Sequence, residues 1–430
     1  MSATQAEGTP VNAQALGNVR VLDLTRILAG PWCTQTLADM GADVIKIEHP
    51  TRGDDTRQWG PPYFRTTDGR EARDATYFAS TNRNKRSVGI DIASPEGAEL
   101  VRSMAARCDV FIENFKVGDL ARYGLDYESI RRVNPGIVYC SITGYGQTGP
   151  YADRPGYDFV FQAEGGLMSI TGERDDLPGG GPQKVGIAMA DLTTGLYASI
   201  AVLAALNHRH ATGEGQYIDL ALLDCVTALA SNQGAFHLVN DLDPRRWGNA
   251  HPALVPYQVF DTADGQIVVA VGNDAQWGRF CQAVDSTTLA ADPRFARMSG
   301  RIRHRETLLP ELQALIGRQP CAHWLEAFAR CDIPHGRINS YRETFQHPQI
   351  VHRQMAVEVG SDDGEGFVRG IANPIKFSAT PIRYPRAPSA LGRHTAEVLT
   401  DVMGLDAAAI DGLRQRGIVT SHEADPVGAP

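Results

Sequence analysis

Hydrophobic positions in the first third of the chain fall in short runs separated by stretches of helical period. Residues 19–24 (VRVLDL) form a buried-strand pattern. Residues 31–40 follow with Pro31 in the first helical turn and Gly41 just past the last, the punctuation expected of a helix. With Asp43–Glu48 (DVIKIE) as a second strand, these elements make a β-α-β unit, which takes a right-handed crossover in a parallel sheet. The alternation continues: strand at 87–92, helix from the N-cap Ser94 and Pro95 to about Arg107, strand at 109–113, short helix at Tyr127–Val133, strand at 136–142. Strand and helix in turn predict a Rossmann-like, doubly wound α/β domain with ligands at the carboxyl ends of the strands.

Beyond Gly144 the alternation fades into glycine-rich chain, including DDLPGGG at 175–181, and then comes an apolar helix from about Asp191. The stretch 187–206 has nearly the length of a membrane span, but Asp191, Thr193 and Thr194 near its start would be costly in lipid. A buried helix of a soluble protein is the expectation. From Tyr257, YQVFDTADGQIVVAVG reads as a hairpin turning at 263–265, with helices at 275–284, 306–316 and 322–330. A connector with Pro381, Pro385 and Pro388 leads to amphipathic helices at 395–403 and 407–416. The expected organisation is a flexible tail at 1–17, a large α/β domain at 18–225 and a linker at 226–254. A smaller α+β domain at 255–355, a second linker at 356–392 and C-terminal helices at 393–430 returning to the large domain complete it.

A length of 430 residues suits two to four lobes with their own cores, and 43% apolar with 21% charged residues is globular. A net charge of −9 argues against nucleic acid as a partner and requires local cations for any polyanionic ligand. The seven cysteines are scattered without a C-x-x-C pair, and the start of the chain lacks a basic, then apolar signal, so a reducing cytoplasm and no membrane partner are expected. The twelve histidines show no ligand spacing with a usable third partner, so no metal site is expected.

Four features carry candidate chemistry. Residues 144–149 (GYGQTG) match a dinucleotide fingerprint, but Pro150, Tyr151 and Asp153 follow where a helix should open, which favours a turn. The first β-α loop, 25–31 (TRILAGP), sits where open α/β sheets bind ligands. Residues 82–86 (NRNKR) concentrate three cations, either as a solvated face or as a phosphate site. Asp191, in MADLTTG, is either a plain N-cap or a carboxylate kept ionised by backbone amides and the helix dipole as a nucleophile.

The chain resembles the class III CoA-transferases, the family that includes formyl-CoA transferase and carnitine CoA-transferase. The resemblance spans nearly the whole chain: LAGPWCTQTLADMGADVIKIEHP at 28–50, NRNKRSVGIDIASPEG at 82–97, ENF at 113–115, MADLTTGLYA at 189–198 and LGRHTAEVL at 391–399. YCSITGYGQTGP at 139–150, GYDFV at 156–160, RWGNAHPALVPYQVF at 246–260 and IPHGRIN at 333–339 are similar to the succinyl-CoA:dicarboxylate branch, which includes succinyl-CoA:glutarate CoA-transferase.

The resemblance implies an interlocked-ring homodimer with no tightly bound cofactor, using acyl-CoA and a small carboxylic acid as substrates. It assigns Asp191 as the nucleophile, passing through an acyl-aspartyl anhydride and an aspartyl-CoA thioester. CoA contacts would fall at Leu28 and Ala29; His49; Ile90, Asp91, Ile92 and Ala93; Asn114, Phe115 and Lys116; Arg122; and Pro155, Gly156, Tyr157 and Asp158. His49 and Leu28 replace an arginine and a glutamine of formyl-CoA transferase, which disfavours formyl transfer. Lys85 and Arg86 could add charge for the CoA phosphates, and the glycines at 179–181 are the candidate lid that keeps water from the anhydride. Arg57, Arg154, Arg246 and Arg337 are candidates for the distal carboxylate of a dicarboxylic acid. The alternatives are an α-methylacyl-CoA racemase type and a silent CoA-binding protein. The first is disfavoured by Tyr157 at the position of the racemase histidine, since a phenol of pKa about 10 is a poor base; the second is disfavoured by the intact Asp191.

Overall fold

The computed structural model describes residues 14–65, 71–360 and 367–420. The chain divides into two compact units: the described parts of 1–167, 185–234 and 351–430 form the first, and 168–184 with 235–350 form the second. The first is organised by six strands: β1 (Arg20–Asp23), β2 (Asp43–Glu48), β3 (Lys85–Gly89), β4 (Val110–Glu113), β5 (Val138–Thr143) and β6 (Gln216–Ala221). All neighbours are parallel in the order β3-β2-β1-β4-β5-β6. That order reverses between β1 and β4, so the loops leaving these strands diverge and open a crevice at their carboxyl ends.

Alternation along each strand builds a layer on each face of the sheet. Leu22, Ile45, Ile47, Val88, Phe111 and Tyr139 pack with α2 (Pro95–Ala105), α3 (Tyr127–Val133) and the helices Thr395–Asp401 and Ala407–Gln415. Val21, Val44, Val110, Ile112, Val138 and Cys140 pack with α1 (Ala29–Asp39), α4 (Asp158–Glu164) and α5 (Met189–Thr212). The edge strand β3 is covered by the chain's last described segment: His394 donates to the Ser87 carbonyl at 2.9 Å and Thr420 to the Gly89 carbonyl at 3.0 Å. Capping of an exposed edge in this way removes a template for unwanted strand pairing.

The second unit contains β7 (Tyr257–Asp261), β8 (Gln266–Ala270) and β9 (His335–Arg337), antiparallel in the order β9-β8-β7. Phe260, Ile267, Val269, Phe280, Leu308, Trp324 and Phe328 join this sheet to the helices Asp274–Ala283, α6 (Arg305–Ile316) and Cys321–Arg330. Residues 168–184 cluster with this unit because Arg246 donates to the Ser169 carbonyl at 2.9 Å and Arg174 lies 3.7 Å from Glu306.

Several expectations change. Residues 14–17 are docked, with the Leu16 N–H donating to the Met40 carbonyl at 2.9 Å and its side chain against the core; the rest of the expected tail, 1–13, lies outside the described residues. The stretch 226–254 carries helices Leu222–Ala228 and Ser231–Asn240 because Leu222, Val226 and Leu229 recur at helical spacing. The stretch 356–392 begins with an antiparallel ribbon, Ala356–Gly360 with Phe367–Ile371. Helix α5, expected to be buried, buries one face only: Ala190, Ala198 and Val202 are covered, while Leu196, Tyr197 and Ile200 are exposed, Ile200 by 62%. Of the described helices, it alone is long and apolar enough to cross a membrane, yet its covered face packs as a crossover helix against the sheet.

The basic run at 82–86 is neither a solvated face nor a phosphate site. Arg83 pairs with Asp39 at 2.6 Å, Lys85 with Asp23 at 3.3 Å and Arg86 with Asp43 at 2.6 Å, and all three cations are buried. Lys85 belongs to a network in which Lys46 meets Asp54 at 2.9 Å and Arg57 meets Glu48 at 2.7 Å and Asp74 at 2.6 Å. Burial works against ionisation of Asp23, Glu48 and Asp54, but the adjoining Lys85, Arg57 and Lys46 charges prevail and hold all three below their usual range. Burial prevails at Lys85, lowering its amine to about 8. The stability supplied by the three depressed carboxylates is present above their unfolded pKa and lost as pH falls through the folded values. Removing one partner of a buried pair leaves an uncompensated charge. Arg57→Leu is therefore expected to cost about 3–5 kcal/mol in urea unfolding followed by circular dichroism, and a cost under about 1 kcal/mol would refute this account.

Candidate active site

Two helix N-termini meet above the sheet. Helix α1 follows β1 through the loop 24–28, and α5 begins at Met189 with Asp191 as its third residue. Asp191 is not the N-cap; that position belongs to Ala188, which makes no side-chain cap. Instead Asp158, near in space on α4, accepts from the Ala190 N–H at 2.7 Å. Gln162 donates to the other Asp158 oxygen at 2.6 Å and to the Ile187 carbonyl at 3.2 Å, while its own oxygen accepts from Val185 N–H at 2.8 Å. The chain entering α5 is thereby fixed by α4, and the Asp191 carboxylate is free to accept from the Ala29 N–H at the start of α1. Gly195, one turn further on, permits this approach: a Cβ there would lie 2.6 Å from the Ala29 carbonyl oxygen and 2.9 Å from the Trp32 ring.

The loop before α1 is held under strain. Ile27 has φ +73°, a left-handed conformation that costs a β-branched residue about 1–3 kcal/mol. It is secured from both sides: Ile27 N–H donates to Asp54 at 3.3 Å, and Arg26 exchanges reciprocal bonds with the Asn114 side chain at 2.8 and 2.7 Å. Phe115, next in the β4 loop, is anchored by its N–H to Glu113 at 2.7 Å. Burial pushes that glutamate up to about 7.

Asp191 lines a cavity of about 220 Å³ together with Ala29, Asn114, Lys116, Arg154 and Tyr157. A second cavity of about 280 Å³ is lined by His49, Arg52, Ile90, Asp91, Ile92, Ala93 and Arg122. Arg26 and Phe115 line both, which makes them two ends of one groove. Among the expected site residues, Pro155 and Gly156 also line the Asp191 end. Leu28 is buried and Asp158 is engaged in the cap; neither lines these two cavities. Lys85 and Arg86 are withdrawn into the ion pairs below. Sequence reasoning missed Arg26 and Arg52, although both follow parallel strands directly and the strand-end rule could have found them. Burial and the Arg52 charge both hold His49 below its usual range, which disfavours its charged form and leaves Arg52 and Arg122 as the cations at that end.

Burial, and next the charge of Asp158, push Asp191 up to about 7 against the opposing Ala29 N–H. The expectation of a carboxylate kept firmly ionised by amides is overturned, since one hydrogen bond does not offset desolvation. Of the four arginine candidates, Arg154 lines the Asp191 cavity, its guanidinium 3.7 Å from the Tyr151 ring centre. Arg57 is consumed by Glu48 and Asp74, while Arg246 and Arg337 belong to the second unit, as does the 179–181 loop. The GYGQTG run is a turn: no helix begins before Asp158, and the Phe161 ring lies under Gly144 and Gly156, 2.7 and 2.2 Å from where a Cβ would stand. Among the described residues no group of three or more His, Cys, Asp or Glu side chains is placed to hold a metal.

Asp158→Asn keeps an oxygen for the Ala190 cap but removes the second cause of the Asp191 shift. In a carboxyl-carbon NMR titration the Asp191 midpoint is expected to fall below about 7 in this variant. An unmoved midpoint would mean that burial alone sets it.

The comparisons agree with one another. The model of CoA-transferase family III matches residues 16–395. Succinate–glutarate CoA-transferase of Agrobacterium fabrum is 46% identical over 400 residues, covering 93% of this chain and 98% of that one. Human succinyl-CoA:glutarate CoA-transferase is 41% identical over 413 residues, covering 96% and 91%. A solved CAIB/BAIF family protein from Brucella suis superposes with a TM-score of 0.80 at 43% identity, covering 92% of this chain and all of that one.

Proposed function

The chain belongs to CoA-transferase family III, and from that premise we propose that it moves CoA from succinyl-CoA to a dicarboxylic acid such as glutarate. The observation that carries this reading is the Asp191 carboxyl, raised to about 7 at one end of a groove whose other end holds Arg52 and Arg122, with Arg26 at the junction. A long polyanionic thioester fits such a groove with its phosphates at the arginine end and its acyl carbonyl at Asp191. The named activities of the bacterial and human relatives supply the donor and the acid class.

In the proposed reaction the Asp191 carboxylate adds to the thioester carbonyl and the C–S bond breaks, giving an acyl-aspartyl anhydride and CoA thiolate. The thiolate adds to the aspartyl carbonyl and releases the donor acid, leaving an aspartyl-CoA thioester. The acceptor carboxylate displaces thiolate to form a second anhydride, and thiolate then takes its acyl group, restoring Asp191. One thioester and one carboxylate are exchanged for another pair, so no external energy is needed. The desolvation that raises the pKa also favours acylation, because each adduct removes a charge from a site that disfavours charge. The Ala29 N–H is the donor beside the reacting carboxyl, a place where charge develops on oxygen.

Arg154, without a carboxylate partner within 4 Å among the described residues, is the candidate in this cavity for the distal carboxylate. A racemase would need a second acid-base group beside the aspartate, and no histidine lines this cavity. The exposed apolar face of α5 supports a homodimer, since Leu196, Tyr197 and Ile200 would gain cover from a second copy.

Mass spectrometry of protein mixed with succinyl-CoA is expected to find a mass gain on the peptide bearing Asp191, removable by hydroxylamine and absent in Asp191→Ala. Deuterium exchange at the α-carbon of a branched acyl-CoA, with no adduct, would instead establish racemase chemistry. Since the reactive form is the carboxylate, transfer is expected to rise with pH through about 7, and a rate falling over that range would contradict the role of Asp191.

A further inference from the structure

Two arginines four positions apart in the second unit are treated differently. Arg301, 0% exposed, spends all three guanidinium nitrogens: Nε on the Val255 carbonyl at 2.9 Å, Nη1 on Phe295 at 2.8 Å and Nη2 on Asp274 at 2.9 Å. Arg305, 7% exposed at the start of α6, spends only Nη2, on the His251 and Pro252 carbonyls at 3.2 and 3.1 Å. Its Nε is buried without a partner, and no carboxylate lies within 4 Å among the described residues. Burial and the nearby Arg245 charge both disfavour its protonated form. Nε is out of a ligand's reach and Nη2 is spent on two carbonyls, so Nη1, without a hydrogen bond among the described residues, is the nitrogen left for an anion. A buried guanidinium short of partners is costly unless an anion meets it.

Arg305 lines a cavity of about 260 Å³ whose apolar wall is Trp247, Leu177, Leu309 and Val259. The Trp247 ring lies 4.2 Å from the Arg305 guanidinium and 4.0 Å from that of Arg245. Glu173 and Asp261 also line the cavity; they accept from the Arg174 N–H at 2.8 Å and from Gln266 at 2.9 Å. Arg174, the other cation in the lining, is taken by Asp176 at 2.6 Å, so Glu173 and Asp261 face Arg305 and repel a multiply charged phosphate, whereas a single carboxylate on an apolar chain matches Arg305 and the part of the wall formed by Trp247, Leu177 and Leu309. We propose that this cavity binds a short aliphatic carboxylate, its carboxyl group on Arg305 and its carbon chain against Trp247, Leu177 and Leu309. The site goes beyond the proposed transfer reaction, although its ligand is of the class that the reaction consumes and releases.

Isothermal titration of the full chain with butyrate, in the absence of any CoA compound, tests the site. Wild type is expected to bind at millimolar butyrate. Leu177→Trp fills the cavity without touching the Arg305 bonds to the backbone, and Arg305→Lys keeps the charge but removes the Nη1 donor. Each is expected to weaken binding about tenfold or more. No heat with wild type, or equal affinity in wild type and Leu177→Trp, would overturn the proposal. Loss of binding in Arg154→Ala with full binding in Leu177→Trp would move the carboxylate to the Asp191 cavity and overturn it equally. Because no thioester takes part, these outcomes are independent of whether Asp191 forms a covalent adduct.

Discussion

Six charges share the dry space under the strand ends, and the groove hangs from their mutual neutralisation. Asp23, Glu48 and Asp54 face Lys46, Arg57 and Lys85, none more than 5% exposed. The same groups hold the first loop. Lys46 donates to the Thr25 carbonyl at 2.8 Å, Thr25 bonds Asp23 at 2.5 Å, and Asp54 accepts from Ile27 N–H while paired with Lys46. The strained Ile27 is thus over-determined by ions that cannot relax without losing partners, and the loop ends at the Ala29 N–H that meets Asp191. Loop conformation, and through it the site, depends on a charge balance one layer below.

Burial is common to these carboxylates and to Asp191, but the outcome differs. Asp23, Glu48 and Asp54 each have a cation in contact and remain below the usual range. Asp191 has one amide and an acidic neighbour, and rises to about 7. A lysine against Asp191 would secure its charge and make the loss of that charge in the proposed acylation costly. Withholding the cation keeps the group close to the boundary between its two states, which suits the nucleophilic role proposed for it, where the charge is lost and restored in each cycle.

What could be read from the sequence was local. Pro31, Gly41 and Ser94 mark helix ends through backbone rules that need no distant partner, and residues 43–48 and 127–133 have the bounds their patterns predicted. The resemblance covered the family and gave Asp191 its candidate role. What could not be read depends on long-range partners. Lys85 and Arg86 look like surface cations until Asp23 and Asp43 arrive from other strands. The cap on α5 comes from Asp158, 32 positions earlier, so the favourable N-terminal position of Asp191 in sequence pointed to a role another carboxylate fills. Nor did the composition of α5 distinguish a helix buried all round from one covered on a single face; only the partners of Leu196 and Ile200 decide that.

The strand order decides where the two ends of the groove lie. Because the sheet reverses between β1 and β4, the loop after β1 turns toward α1 and the loop after β4 turns the other way, and Arg26 and Asn114 bond where the two begin to part. Arg26 and Phe115 stand at that junction, the guanidinium 5.5 Å from the ring centre, and form the wall common to both cavities. The helix N-termini of α1 and α5 lie on one side of this wall, while the loops after β2 and β3 bring Arg52 and residues 90–93 to the other. A ligand long enough to use both must cross Arg26 and Phe115, so its charged and reacting ends are held apart by topology rather than by any single side chain. Substitutions at either end can therefore alter affinity or chemistry separately, which is the freedom a family needs to keep one carrier while changing the acid it accepts.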